Sequence, residues 1–155
     1  MQSKVKFMFT GAFAAAALLQ VLPAQAQDVA TPAELKGGKV ISVEEGKKLL
    51  DAKAAAFIDT RSVVNFGKGH VPGAQAVAYK EKSAKEPGYD KQLDSFDLDK
   101  LPKDKGAALV FYSDGPTGWK SYKAAAWAIG AGYSRVHYMR NGFSEWTTKG
   151  MPVER

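Results

Sequence analysis

Residues 107–120 read AALVFYSDGPTGWK, and this stretch decides the fold. Its first six residues are apolar and the run stops at Ser113, a pattern typical of a buried parallel strand. A helix is expected to begin at Lys120 or Ser121 and to end at the glycine-containing stretch 130–132. A strand that passes through a glycine-containing loop into a helix is the basic unit of an α/β domain.

Shorter strands and helices alternate on both sides of this unit. Strands are expected at 40–41, 55–58, 76–78 and 136–139. Helices are expected after a capping box of Ser42 and Glu45, around Phe66 up to Gly67, near Leu98 as a single turn, and at 143–146. This alternation predicts right-handed crossovers around a parallel sheet, whose ligands bind outside the carboxyl ends of the strands. The segments that begin at Asp59 and at Ser113 are therefore the first candidates for a site.

The chain has 155 residues, of which 45% are hydrophobic and 25% are charged, and none is cysteine. This length suits one domain with a core of its own. The absence of cysteine excludes disulfides, cysteine-ligated zinc, iron–sulfur clusters and thiol chemistry in this chain.

The charges of the chain do not indicate a nucleic-acid partner. The 22 Lys and Arg residues outnumber the 16 Asp and Glu residues, which gives a net charge of +6, but both signs are interspersed along the sequence. No group of His, Asp and Glu has the spacing of a metal site, and the loop lacks the Walker-A spacing of a nucleotide site. We predict neither a metal nor a cofactor.

The first 26 residues are typical of a secretory signal peptide. Lys4 and Lys6 precede an apolar segment over 7–22, and a small-residue cleavage pattern ends at Ala26. The apolar segment is shorter than the ~20 residues that a spanning helix needs, so cleavage is favoured over a membrane anchor. The predicted organisation is a signal peptide over 1–26, a flexible segment over 27–38 and one domain over 39–155. The mature protein is expected in the periplasm or outside the cell, without membrane association after cleavage.

Several short motifs follow one another in a fixed order along the predicted domain. They are Asp59-Thr60-Arg61, Gly69-His70-Val71-Pro72-Gly73-Ala74, Tyr112 with its loop, Gly132-Tyr133 with Val136, and Asn141-Gly142-Phe143 with Trp146. In this order they resemble the rhodanese-like domains, over about 39–153. The resemblance implies a single α/β domain with a central parallel sheet flanked by helices on both faces.

The resemblance also implies a sulfur-transfer activity that needs a cysteine. In active rhodaneses a cysteine follows the central strand and carries the transferred sulfur as a persulfide, whereas Ser113 follows the strand here. A hydroxyl cannot form that intermediate, because a persulfide is a sulfur–sulfur bond. The loop is longer than the usual rhodanese loop, so either Ser113 or a loop glycine is equivalent to the cysteine. The exported context and the stretch 115–119 are similar to a periplasmic branch with a CxxCW motif, associated with PQQ-dependent catabolism, with glycine in place of both cysteines.

The loop without its cysteine still has the features of an anion site. Backbone N–H groups of a loop that enters a helix lie at the positive end of the helix dipole. Lys120 and Arg61 would add positive charge, whereas Asp114 would repel an anion or occupy the loop itself. The candidate residues for binding a small oxyanion or sulfur oxyanion are Ser113, Asp114, Gly115, Thr117, Gly118, Trp119, Lys120, Ser121 and Arg61.

Structural roles are predicted for other residues of the motifs. Asp59 and Arg61 are expected to pair with each other rather than to contact a ligand directly, and His70 is expected to tie its turn to the sheet. The charged segment 79–105 is expected to be an exposed excursion.

The tryptophans are expected to differ in burial. Trp127 and Trp146 lie in predicted helices and are assigned to the core. Trp119 is expected on the rim of the loop, and if it is exposed it would suit a ligand or a protein partner.

These observations favour an exported rhodanese-like domain that binds a small anion or a periplasmic redox partner without catalysis, and no catalytic residue is assigned. The alternative is a sulfurtransferase-family enzyme with a residual or unrecognised activity. A third interpretation is a structural interaction domain whose loop is blocked by Asp114.

Overall fold

The computed structural model of the protein describes residues 28–155 and, before them, Gly11 alone. The rest of the predicted signal peptide and its cleavage site after Ala26 lie outside the described residues. No helix within the described part of the chain is long and apolar enough to cross a membrane.

Five parallel strands form one sheet at the centre of the domain, which confirms the predicted α/β class. Their order across the sheet is β1-β5-β4-β2-β3, so the central strand is the one quoted first from the sequence. The strands are β1 (Lys39–Ile41), β2 (Ala56–Asp59), β3 (Gln75–Ala76), β4 (Ala108–Tyr112) and β5 (Arg135–Met139).

Four helices connect or follow these strands. They are α1 (Val43–Asp51), α2 (Val63–Lys68), α3 (Trp119–Gly130) and α4 (Gly142–Thr148), with single 3-10 turns at Lys91–Leu93 and Leu98–Lys100. The predicted capping box is present at α1: the Glu45 N–H donates to Ser42 Oγ at 3.1 Å, and the Ser42 N–H donates to the Glu45 carboxylate at 2.9 Å.

The sheet has a hydrophobic core on each face, which confirms helices on both sides. Alternate residues of β4 point in opposite directions. Leu109 and Phe111 pack with α3 in one core. Val110 and Tyr112 pack with Trp146 in the other.

Residues 28–38, the described stretch directly before β1, form no helix or strand, but they contact the domain. Thr31 and Leu35 are buried, and the Thr31 N–H donates to the carbonyl oxygen of Pro116 at 2.8 Å. Arg140 Nη2 also donates to the Thr31 carbonyl oxygen at 2.7 Å. The flexible segment expected over 27–38 is therefore attached to the domain at Thr31, because its backbone finds hydrogen-bond partners there.

The charged segment 79–105 is not wholly exposed, contrary to the sequence-based expectation. Asp94 and Ser83 are buried against Lys123 of α3, whose side chain is fully enclosed. Lys123 Nζ lies 2.8 Å from Ser83 Oγ and 2.8 Å from a Glu81 carboxylate oxygen. These polar contacts attach the segment to α3, since a buried charge needs an opposite charge and hydrogen-bond partners.

Candidate functional site

A cavity of about 210 Å³ opens where β2 and β4 end. Seven of the predicted site residues line it: Arg61, Ser113, Asp114, Thr117, Gly118, Trp119 and Lys120. Gly115 and Ser121 do not line it, and neither do Asp59 and His70. The position agrees with the rule that ligands of parallel α/β sheets bind at the carboxyl ends of strands.

Ser113 lines the cavity and lies directly after β4. The residue is only 3% exposed, and its hydroxyl forms no hydrogen bond with another described residue. A Cβ atom at Gly118 would lie 2.9 Å from Ser113 Oγ, so a side chain at position 118 would collide with the serine. The loop thus places a hydroxyl, which can both donate and accept, at the wall of a cavity.

The loop after Ser113 is held in place by hydrogen bonds to its carbonyl oxygens. Within the loop, the Gly118 N–H donates to Gly115 at 2.9 Å. From outside the loop, the Ser144 N–H donates to Asp114 at 2.8 Å, and the Thr31 N–H donates to Pro116. By contrast, the N–H groups of Asp114, Gly115 and Thr117 donate to no acceptor among the described residues, and no side chain caps α3. The donors at this end of the loop and helix are thus available to an acceptor from outside.

Arg61 is held mainly by its own motif, as predicted. Its Nη2 donates to the Asp59 carboxylate at 2.7 Å and to the Gly69 carbonyl oxygen at 2.7 Å, and its Cζ lies 4.2 Å from the centre of the Phe143 ring. Burial by itself lowers the pKa of the guanidinium, but the hydrogen bond and charge of Asp59 outweigh burial and raise that pKa. Only Nη1 is directed elsewhere, 3.7 Å from the Asp114 carboxylate.

His70 ties its turn to α2 and to the C-terminal end of the chain, rather than to the sheet as predicted. Its Nδ1 lies 2.9 Å from the Phe66 carbonyl oxygen, and its backbone pairs with Glu154. The link to the sheet comes from Tyr112, whose hydroxyl accepts from the Val71 N–H at 3.1 Å. Burial, together with the carboxylate of Asp59, raises the pKa of this phenol, so Tyr112 is neutral.

Trp119 lines the cavity, but it is not exposed, so it does not offer the surface that an exposed ring on the rim would have offered. Trp119 is the first residue of α3, it is 2% exposed, and its Nε1 donates to the Val29 carbonyl oxygen at 2.7 Å. The indole is covered by the segment before β1, which the sequence analysis did not place against the loop. Trp146, in contrast, is fully buried as predicted, and Trp127 packs against the core on the α3 side.

The remaining predicted residues divide into two groups. Lys120 is half-buried, lines the cavity and forms no ion pair with another described residue, while Thr117 is exposed beside it. Ser121 is buried and its hydroxyl donates at 3.3 Å to the carbonyl oxygen of Gly118, the residue directly before α3. The side chain of Asp114 is 64% exposed and so does not fill the cavity.

Five residues of the cavity were missed by the sequence analysis: Asp28, Ser62, Asn65, Glu81 and Lys85. Ser62 follows the Asp59 motif directly and caps α2 through a hydrogen bond from the Asn65 N–H at 3.2 Å, so its position could have been inferred. Glu81 and Lys85 come from the segment 79–105, and no local pattern marks them. Among the described residues, no group of three or more His, Asp and Glu side chains could hold a metal ion.

Comparisons with known proteins agree with this geometry. A family model described as "Rhodanese-like domain" matches residues 42–149. A thiosulfate sulfurtransferase of Azotobacter vinelandii is 27% identical over 123 residues, which cover 75% of this chain and 44% of that relative. A sulfurtransferase of Allochromatium vinosum is 24% identical over 107 residues, which cover 69% of this chain and 85% of that relative.

Solved structures show the same fold. The thiosulfate sulfurtransferase of Pseudomonas aeruginosa superposes with a TM-score of 0.58 at 23% identity, covering 77% of this chain and 21% of that chain. The polysulfide-sulfur transferase of Wolinella succinogenes superposes with a TM-score of 0.55 at 16% identity, covering 77% of this chain and 80% of that chain. This chain thus spans less than half of the Azotobacter relative and about a fifth of the Pseudomonas chain.

Proposed function

The chain belongs to the rhodanese-like domain family, and on that premise we propose that it is an exported binding module that holds a small oxyanion without transferring sulfur. The absence of cysteine removes the thiolate that would carry sulfur as a persulfide. Ser113 occupies the position directly after the central strand, where its hydroxyl can donate to a bound oxyanion but cannot accept a sulfur atom.

One observation carries this proposal: Ser113 is 3% exposed, it lines a cavity, and its hydroxyl has no hydrogen-bond partner among the described residues. A hydroxyl that lines a cavity and has no partner in the protein is free to donate to a ligand there. The loop N–H groups without acceptors lie in the same segment, and Lys120 adds an ammonium group to the same cavity. Hydrogen bonds from these donors to an anion would be charge-assisted.

Asp114 does not block the cavity, because its carboxylate is mostly exposed and lies near Arg61. This geometry gives no support to the interpretation that the loop is closed by its own carboxylate. Trp119 is buried and therefore offers no exposed ring to a protein partner.

The proposal is tested by the thermal unfolding midpoint of the purified native chain with thiosulfate, sulfite, sulfate or phosphate at matched ionic strength. An anion at ~100 times its dissociation constant adds about 2.7 kcal/mol to the free energy of unfolding, which raises the midpoint measurably. We expect a rise with at least one anion in the native chain, and its loss in Lys120→Ala. Lys103→Ala removes the same charge from a side chain that is 80% exposed and outside the cavity, and it should leave the rise intact. If none of the four anions raises the unfolding midpoint, the proposal is overturned.

The enzymatic alternative is supported by the relatives that are named sulfurtransferases. It is separated from the binding module by incubating the purified native chain with thiosulfate and cyanide. Formation of thiocyanate above the buffer rate would favour an enzyme, because this chain would then transfer sulfur without a cysteine. We expect no such turnover.

Export to the periplasm and the position near the CxxCW branch are part of the same proposal. The N-terminal sequence of the protein isolated from its host tests export directly. We expect the mature chain to begin at Gln27, and an intact Met1 on the isolated protein would contradict cleavage.

A further inference from the structure

The cavity that carries the proposed anion site is lined by acidic as well as basic side chains. Its carboxylates belong to Asp28, Glu81 and Asp114, and its cations to Arg61, Lys85 and Lys120. A cavity selective for a simple dianion would be lined mainly by cations, since each carboxylate near a bound anion repels it. The mixed lining therefore needs an explanation.

Two of these charges are already neutralised inside the protein. Arg61 forms its closest ion pair with Asp59, at 2.7 Å, and Glu81 lies 2.8 Å from the ammonium group of Lys123. Lys85 and Lys120 form no ion pair with another described residue, and the same holds for Asp28. Among the described residues, the carboxylate of Asp114 contacts only Arg61, at 3.7 Å, and Arg61 is already paired with Asp59. Opposite charges without close partners thus line one cavity.

We propose, on the premise of the oxyanion site described above, that the natural ligand is a small zwitterion with one oxyanion group and one ammonium group. The oxyanion end would lie at Ser113 and Lys120. The ammonium end would face the carboxylate of Asp114 at the mouth, with Asp28 as the second carboxylate of the same cavity. In this orientation the carboxylate that opposes a simple anion contributes to binding.

The size of the cavity agrees with this class of ligand. A cavity of about 210 Å³ has room for a small aminosulfonate or amino acid.

The inference is tested with taurine and isethionate as matched probes. Both carry a sulfonate on a two-carbon chain, and they differ in having an ammonium or a hydroxyl group at the other end. Binding to the purified native chain is measured by calorimetry at neutral pH and fixed ionic strength. We expect taurine to bind at least ten-fold more tightly than isethionate. The preference should fall several-fold in Asp114→Asn and should persist in Asp99→Asn, a control whose side chain is 96% exposed and outside the cavity.

The outcomes separate this inference from the function on which it rests. Equal affinity for taurine and isethionate, with binding lost in Lys120→Ala, would overturn the zwitterion and leave the oxyanion site standing. A preference for taurine that Asp114→Asn leaves unchanged would overturn the assignment of the ammonium end. Failure of taurine, isethionate and the inorganic anions alike to bind would overturn both proposals.

Discussion

Trp119 Nε1 donates a hydrogen bond of 2.7 Å to the carbonyl oxygen of Val29, so the first residue of α3 is joined to the segment before β1. The Thr31 N–H of the same segment donates to the carbonyl oxygen of Pro116 in the loop. The loop that carries Ser113 is thereby held between α3 and a segment more than eighty residues earlier in the chain. The geometry of the cavity thus depends on contacts that no local sequence pattern reveals.

The Trp119 contact predicts the effect of Trp119→Phe. This change keeps an aromatic ring but leaves the Val29 carbonyl oxygen without its donor, so we expect a loss of about 1–3 kcal/mol in the free energy of unfolding. Urea denaturation measures the loss, and hydrogen exchange at the Thr31 N–H should accelerate. The control is Trp127→Phe, because the buried Nε1 of Trp127 has no hydrogen-bond partner among the described residues. An equal loss of stability in both variants would show that the Trp119 hydrogen bond contributes nothing specific.

Trp119 also shows where sequence reasoning reaches its limit. The strands and helices could be predicted, because apolar runs and capping residues such as Ser42 are local signals. The place of Ser113 at the carboxyl end of the sheet could also be predicted, because the apolar run of β4 stops there. Burial of Trp119 and the presence of Glu81 and Lys85 in the cavity depend on how distant segments fold back onto the loop, and periodicity carries no information about that. The sequence places Trp119 in the loop and leaves its exposure open, whereas the structure shows it covered at the start of α3.

The lowered pKa of the Asp94 carboxyl leads us to expect a loss of stability at acidic pH. Burial by itself raises the pKa of this carboxyl, but the hydrogen bonds from Ser83, Tyr79 and the Lys82 N–H outweigh burial and lower the pKa to about 2 from its ordinary 3.8. A carboxyl with a lowered pKa stabilises the fold above its unfolded pKa, and this contribution is lost as the pH falls through the folded pKa. We expect about 2 kcal/mol to be lost between pH 4 and pH 2.

This pH dependence is measured by urea denaturation at a series of acidic pH values. Asp94→Asn removes the titrating group, so the slope of stability against pH should be shallower in that variant between pH 4 and pH 2. Asp99→Asn is the control, because its carboxylate is 96% exposed. Identical slopes in native protein and Asp94→Asn would show that the Asp94 carboxyl does not contribute to acid unfolding.

Ser113→Cys is expected to restore the first half of sulfur transfer. The introduced thiol lies at the start of the loop that leads into α3, where nearby N–H groups favour the thiolate. The thiolate would attack the outer sulfur of thiosulfate, a new sulfur–sulfur bond would form to the protein, and sulfite would leave with the electrons of the broken bond. Mass spectrometry should show one added sulfur atom after incubation with thiosulfate, and cyanide should remove it as thiocyanate.

The control for this experiment is Ser95→Cys, an exposed thiol outside the cavity, which should stay unmodified. Gly115→Cys tests the alternative register of the loop, since a Cβ atom there would meet its nearest neighbour, the Asn141 carbonyl oxygen, at an ordinary 3.7 Å. Sulfur carried by Gly115→Cys and not by a folded Ser113→Cys would assign the cysteine-equivalent position to Gly115.

Gly142→Ala tests how much the contact between α4 and the loop contributes to stability. The Gly142 φ of +61° is in the left-handed region, and an added Cβ atom would lie 2.5 Å from the Ser113 carbonyl oxygen. Gly150 has a similar φ of +69°, with open space around its Cα. Gly150→Ala should therefore lower the free energy of unfolding through backbone strain alone, by about 1–2 kcal/mol. Gly142→Ala should lower the free energy of unfolding by that amount and by about 1–3 kcal/mol more, because the loop must move away from the new methyl group.

The same displacement should also weaken anion binding. The Phe143 and Ser144 N–H groups donate to the carbonyl oxygens of Ser113 and Asp114 and so position the loop. We therefore expect weaker binding in Gly142→Ala and unchanged binding in Gly150→Ala. Urea denaturation and calorimetry on the two variants measure these effects, and equal losses in both would show that the loop is not positioned by α4.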